Sequence, residues 1–428
     1  MPEQGISIII PMYNKWELTE ACLVSLRKYA PACDFEVVAV DNASSDATKN
    51  RLEALGATFF PGNFTRIRNR ENRNFSGACN QGARASRHAL LFFLNNDTIL
   101  TSGWDVPLRD ALRAEASLAA VGPLLLYGDG TVQHLGAAVY PDRSLHHFYT
   151  GISGAHPLAL KRRSLNYITA AALLVRASAF FAAGAFHEGY VNGLEDVELC
   201  YRLRQAGYGL RVEPDSVIFH LEGQTRNESS SVAKNAPLLR ARCPDLRKPE
   251  FHHIALSDGY QPYFGLFFET FLAPLPERRN HHVQAGVLRD KEMLVRVMRE
   301  EIYWKEGYLA LAALCEQSGD RAGALDALVA CSHQYPALDV MEKALALATE
   351  VGNTTLAEEY AQLLETARTT LQDADFFRVR HDLIAHTAES LADRELETML
   401  TGWREEHGHT FPATQFLARR GEKNASHY

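Results

Sequence analysis

Ile6-Ser7-Ile8-Ile9-Ile10-Pro11-Met12-Tyr13-Asn14 is the stretch on which the fold turns. Ile6–Ile10 is too short and too abruptly ended by Pro11 to be the apolar segment of a secretory signal. It reads as a strand covered on both faces that runs out into a polar turn. Working outward, Glu17–Tyr29 is helical, with Leu18, Cys22 and Leu26 at i, i+4 and i+8. Phe35–Val40 is a second strand and Ala47–Leu55 a second helix. Gly82–Arg87 lies in a third helical stretch, and Ala89–Leu94 is a third strand. Such alternation predicts an α/β layer fold with a largely parallel sheet.

Each of these strands ends in polar residues: Pro11, Tyr13 and Asn14; Asp41 to Asp46; Asn95-Asn96-Asp97. Ligands of open α/β sheets bind outside the carboxyl ends of the strands, so three segments converge on one expected site. The chain has no GxGxxG and no GxxxxGK[ST], which disfavours a dinucleotide fold and a P-loop.

The remaining composition narrows the choices. The chain has 428 residues, 46% hydrophobic and 22% charged, which implies two or three globular domains. Its formal net charge of -8 argues against a phosphate-tracking surface, so nucleic acid is not the expected partner. The most apolar stretch, Ile168–Phe186, is broken by Arg176 and Ser178, so no membrane span is expected. Seven scattered cysteines without a CxxC pair suggest neither a disulfide framework nor a cysteine zinc site. A reducing cytoplasm fits, with peripheral attachment at the inner face of the membrane left open.

Later segments differ in character. Residues 221–235 lose periodicity and read as a mobile loop or lid. Tyr260–Leu272, rich in aromatics, reads as a core helix between domains, with an acceptor or membrane surface as the alternative. From about residue 301 the pattern is wholly helical and repeats: Gly319-Asp320 with Ala322, Ala324 and Pro336, then Gly352-Asn353 33 residues later with Ala357. These offsets over 301–370 resemble the tetratricopeptide repeat, with a plain helical bundle as the alternative. The expected division is a catalytic domain at 1–235, linking or extension helices at 236–300, and a helical domain at 301–428.

Six motifs in the first half come in a recognisable order. They are Ser7–Asn14; Val40-Asp41-Asn42-Ala43-Ser44-Ser45-Asp46; Asn72–Gly82; Phe93-Leu94-Asn95-Asn96-Asp97-Thr98; Glu195-Asp196-Val197-Glu198-Leu199-Cys200-Tyr201-Arg202; and His220. Together they resemble the inverting family 2 glycosyltransferases over residues 5 to about 225. The resemblance implies the GT-A fold, a Rossmann-like nucleotide-diphospho-sugar transferase sandwich, followed here by the all-α region. It implies transfer from a nucleotide-sugar donor, UDP- or dTDP-linked, to an acceptor hydroxyl on a glycan, lipid-linked or protein acceptor. The setting would be bacterial polysaccharide, lipopolysaccharide or protein glycan synthesis.

The residue types suit that chemistry. Tyr13 offers a face for stacking, and Asp41 a carboxylate for an imide N–H. Taken alone, Asp41 reads equally as a turn former, since Asn-Ala-Ser-Ser-Asp is a good capping sequence. Pro11, Asn14, Asn72, Gly77, Asn80, Asn95 and Asn96 complete the donor-binding set by resemblance. A divalent cation, Mn²⁺ or Mg²⁺, would offset charge on the leaving nucleoside diphosphate. By resemblance Asp97 and His220 would hold it, although Asn95 stands where the family's DxD has Asp. By the same resemblance Asp196 is the base and Glu195 positions a substrate. Acids in a first helical turn are, however, favoured by the helix dipole alone. A nucleotidyltransferase would need a Gly-rich, Arg-bearing loop after the first strand, which Pro11–Trp16 is not. A non-catalytic helical scaffold is the other alternative. The C-terminal helices are the expected place for a protein partner or self-association.

Overall fold

The computed structural model describes residues 5–221, 228–246 and 248–408. In chain order the first elements are β1 (Ile6–Met12), α1 (Trp16–Lys28), β2 (Phe35–Asp41), α2 (Thr48–Phe59), β3 (Phe64–Arg68), α3 (Asn74–Ala85), β4 (Leu90–Leu94), β5 (Thr98–Leu100) and α4 (Asp105–Ala114). Next come β6 (Leu118–Leu126), β7 (Val132–His134), β8 (Ala137–Val139), β9 (Leu145–His147), β10 (Ser164–Leu165), β11 (Ala172–Arg176), α5 (Ala177–Ala182), α6 (Glu195–Gln205), β12 (Gly209–His220) and α7 (Glu228–Arg242). The described residues form two compact units, one within 1–138 and 145–248, the other within 139–144 and 249–428.

The first unit is built on one sheet with strand order β10-β12-β6-β11-β4-β1-β2-β3. β1 pairs in parallel with β2 and β4, β2 with β3, and β6 with β12, while β11 runs antiparallel between β4 and β6. The carboxyl ends of β1, β2, β3, β4, β6 and β12 therefore share one edge, joined there by the start of β11. β1 is buried along its whole length, as its uninterrupted apolar run requires. Helix α3 approaches β1 closely because Gly82 has no side chain: a Cβ there would lie 2.5 Å from Cγ2 of Ile9. The segment Ile168–Phe186, the most apolar in sequence, resolves into β11 and α5 inside this core.

Two expectations for this unit need correction. A strand at Phe64–Arg68 was missed, so Leu90–Leu94 is the fourth strand; β3 is an edge strand, and Thr65, Arg66 and Arg68 interrupt its apolar pattern. The lid expected at 221–235 is partly helix. Residues 222–227 lie outside the described residues, but Glu228 onward belongs to α7. Its Ser-rich opening hides the helical period.

The second unit continues with α8 (Phe251–Ser257), β13 (Tyr260–Phe264), β14 (Thr270–Pro274), α9 (Pro276–Gln284), α10 (Lys291–Met298), α11 (Lys305–Gln317), α12 (Arg321–Gln334), α13 (Leu338–Glu350), α14 (Thr354–Thr370), α15 (Ala374–Leu391) and α16 (Arg394–His407). Tyr260–Leu272 is a hairpin rather than a helix. Tyr260, Pro262 and Phe264 are buried and alternate with less buried Gln261 and Tyr263, which is the period of a strand. Trp403 closes over its turn, donating from Nε1 to the Gly265 carbonyl at 3.0 Å.

From residue 305 the unit is helical, as the sequence implies. Gly319 and Gly352, both at positive φ, end α11 and α13. Asp320 and Asn353 then cap α12 and α14 by accepting from Gly323 and Leu356 N–H. Ala324, Ala344 and Ala348 are fully buried where these helices meet. No helix among the described residues is long and apolar enough to cross a membrane.

Candidate active site

At the shared edge of the first unit lies a cleft of about 500 Å³. Asn95, Glu195, Asp196 and His220 line it, with Gln133, His134 and the Thr169–Ala171 backbone. Three elements deliver the polar groups. β4 ends at Leu94 and projects Asn95; β12 ends on His220; α6 begins with Glu195 and Asp196. The start of β11 links two of them. Ala170 N–H donates to Oδ2 of Asp196 at 3.1 Å, and the Ala171 carbonyl accepts from Asn95 N–H at 2.8 Å. Oδ1 of Asp196 accepts from Val197 N–H at 2.9 Å.

The turn into α6 is conformationally special. Asn192, Gly193 and Leu194 all have positive φ, at 47°, 134° and 71°. For Leu194 this is a costly backbone that its surroundings must impose. The imposing contacts are visible. Glu195, buried, accepts from Gly193 N–H; Asn192 accepts from Phe75 N–H at 2.9 Å. Asn235 of α7 accepts from Val191 N–H at 3.0 Å and donates to the Gly193 carbonyl at 2.7 Å. Buried Glu198 pairs with Arg202 and with Arg242 of α7, fixing α6 from its other side.

His220 sits between two kinds of partner. Its Nδ1 lies 2.7 Å from Oε1 of Gln133, and its Nε2 lies 3.1 Å from Oδ1 of Asp97 and 3.3 Å from Nδ2 of Asn95. An amide oxygen only accepts, so Nδ1 carries a proton and Nε2 is turned toward the Asp97 carboxylate. Two electron-rich atoms at that separation form a fitting pair of ligands for a hard or borderline cation. Beyond them, His134 accepts from Thr169 N–H at 3.1 Å, and His147 meets its ring edge to face. Burial, reinforced by His147 and His220, holds His134 well below the ordinary imidazole value, so it lines the wall uncharged.

The remaining expected site residues fall into two groups. Tyr13, Asn14 and Asp41 lie at the ends of β1 and β2, outside the lining of this cleft. Tyr13 is half exposed, with a ring face free to stack. Asn14 joins the two strand ends, taking Ser45 N–H at 2.8 Å, and Pro11 is buried within β1. Asp41 is fully buried and already engaged: Oδ1 accepts from Ser44 N–H, and Oδ2 from Arg66 at 2.7 Å and from Arg68. An imide would have to share that carboxylate with two guanidinium groups.

The others are turned elsewhere. Asn72 accepts from Asn42, and Asn80 clamps Phe186 through both its carbonyl and its N–H. Asn96 donates to Thr19 of α1 at 2.8 Å. At Gly77 a Cβ would crowd Cβ of Arg73 at 2.9 Å. Sequence reasoning did not single out Gln133, Asn235 or Glu198. Each acts through a partner remote in the chain, which no local pattern reveals.

Residues 7–169 match the model for Glycosyl transferase family 2. This segment is thus similar to the glycosyl transferase family 2 domain. The α/β sandwich that houses it is the GT-A arrangement expected from the motifs. Around this domain the chain is 28% identical over 280 residues to the uncharacterized protein y4gI of Sinorhizobium fredii, covering 63% of this chain and 30% of the relative. It is 28% identical over 228 residues to the O-antigen biosynthesis protein RfbC of Myxococcus xanthus, covering 52% of this chain and 18% of the relative. The chain thus spans less than a third of the length of either relative. A structure of GalNAc-T7 with UDP, GalNAc and Mn²⁺ is similar with TM-score 0.46 and 18% identity, over 56% of this chain and 48% of that one.

Proposed function

We propose that the family 2 domain transfers a sugar, with inversion, from a UDP- or dTDP-linked donor to an acceptor hydroxyl. One observation carries the reading: the Asp196 carboxylate and Asn95 are tied together through Ala170 and Ala171 at a cleft that His220 also lines, with Asp97 behind His220 at 3.1 Å.

Asp196 takes the acceptor hydroxyl proton as the oxygen attacks the anomeric carbon from the face opposite the leaving group. Two backbone N–H donors fix its orientation. Glu195 holds the turn that carries it, through Gly193 N–H. Asp97 and His220 would hold Mn²⁺ or Mg²⁺, which when bound would offset negative charge on a diphosphate leaving group. The uncharged His134, its Nε2 occupied by Thr169 N–H, keeps that wall of the cleft free of a competing cation. At the ends of β1 and β2, Tyr13 stacks on the base and the Asp41–Arg66–Arg68 group sets the floor beneath it.

The O-antigen label of the Myxococcus relative supports a glycan acceptor in bacterial surface polysaccharide synthesis. The helical region, read as tetratricopeptide-like hairpins from its Gly-Asp and Gly-Asn turns, recruits an acceptor, a partner or a second copy. A thermal-shift screen of UDP-, dTDP- and GDP-sugars with and without Mn²⁺ tests the reading. A stabilising, metal-dependent shift with a UDP- or dTDP-sugar is expected, and no shift with any of them would favour a scaffold.

A further inference from the structure

A second site lies in the second unit. His252 and His253, in the first turn of α8, direct their Nε2 atoms at one oxygen of Asp393, the residue that caps α16. The distances to Oδ2 are 2.9 and 3.1 Å, and the imidazole centroids are 4.0 Å apart. The other oxygen, Oδ1, accepts Leu396 N–H at 3.1 Å, so Oδ2 is the one turned to the rings. His252 and Asp393 are buried, whereas the His253 side chain is 49% exposed.

We propose that His252, His253 and Asp393 bind a structural divalent cation of the zinc class, with water in the remaining position on the His253 side. Two imidazole nitrogens and a carboxylate oxygen are the donor set such ions prefer. Ligand atoms on one tetrahedral ion stand about 3.3–3.5 Å apart, given bonds of about 2.0–2.2 Å. The three donor atoms here lie within 4.8 Å of one another, with the oxygen 2.9 and 3.1 Å from the two nitrogens, so rotation of the exposed His253 side chain would seat the ion.

The buried ring supplies the second observation. Nδ1 of His252 has no hydrogen-bond partner, so the polar engagement of a fully buried imidazole is all at the Nε2 facing Asp393. Both anchors are rigid. Phe251 stacks on Tyr140 at 4.1 Å, and the Asp393 carboxylate is fixed by its cap bond. The ion would tie segments 141 residues apart, closing the second unit.

The test is zinc stoichiometry and affinity of the full chain, stripped with EDTA and dialysed against Zn²⁺. It is read beside Asp97→Asn, His253→Ala and Asp393→Asn. Asp393→Asn keeps the cap, because asparagine caps as well as aspartate. Wild type and Asp97→Asn should each retain a tight equivalent that raises Tm. Both His253→Ala and Asp393→Asn should weaken it at least tenfold. Zinc binding unchanged in the two α8–α16 variants, or no zinc-dependent Tm in wild type, would overturn the site and leave a hydrogen-bonded triad.

Discussion

Nε2 of His220 stands 3.1 Å from Oδ1 of Asp97, and Gln133 accepts from the opposite nitrogen of the same ring. The amide thereby fixes the ring orientation that turns Nε2 toward Asp97. Partners of this kind typically contribute 10–100-fold to metal affinity. Gln133→Leu should raise the Mn²⁺ concentration for half-maximal turnover by about 10–100-fold, with kcat at saturating Mn²⁺ changed far less. Titration of activity with Mn²⁺ checks this; equal losses in both quantities would place Gln133 in a different role.

Asp196→Asn should leave the fold and nucleotide binding intact. The amide oxygen keeps one of the two N–H donors, the amide nitrogen faces the other, and the carboxylate that could take a proton is gone. Turnover should fall by about 10²–10⁴-fold, the usual range for a positioned acid or base. Nucleoside diphosphate release measured beside nucleotide affinity separates the two effects, and near-normal release would remove Asp196 as base.

Asn235 acts at a distance from the chemistry. It braces the backbone at Val191 and Gly193, which carries the positive-φ turn into α6. Asn235→Ala leaves those buried groups unsatisfied, at about 1–3 kcal/mol. Tm should drop, and kcat should fall more than nucleotide affinity, because the turn places Asp196. Unchanged kcat in a folded variant would contradict the bracing role.

Asp41 gives a pH signature. Burial opposes its ionisation, but Arg66, the Ser44 N–H and Arg68 outweigh burial and hold the carboxyl below its ordinary value of 3.8. The unfolded chain therefore takes up this proton first as pH falls. The stabilisation is complete above the unfolded value, about 3.8, and is lost as pH falls through the lower folded value. At pH 7, Asp41→Asn should cost about 2 kcal/mol, less than a fully enclosed pair because Arg68 is partly exposed. The gap to wild type should close in acid below 3.8, as urea melts at a series of pH values would show. A gap that persists there would mean the loss is not electrostatic.

How much of this the sequence carried depends on distance along the chain. β1, β2 and β4 were legible because buried parallel strands are continuous apolar runs, and their polar ends followed directly. Asn95, Asp196 and His220 were placed by motif order, and they do line one cleft. The edge strand β3 and the hairpin at Tyr260 were not legible, the first for its charges and the second because aromatic runs fit either period. Asp41 was legible as a strand-end acid, but not its engagement by Arg66 and Arg68, which depends on the register of β2 against β3. Asn80 and Asn96 carried the motif, yet their side chains brace Phe186 and Thr19, contacts that only the folded chain brings about.

Calorimetric titration of UDP, dTDP and GDP into wild type and Asp97→Asn, each with and without Mn²⁺, tests the central claim most directly. The account predicts that UDP or dTDP binds wild type, that Mn²⁺ tightens binding, and that Asp97→Asn abolishes the metal effect while keeping the fold. Failure of all three nucleotides to bind, or tightening by Mn²⁺ that Asp97→Asn leaves unchanged, would contradict it.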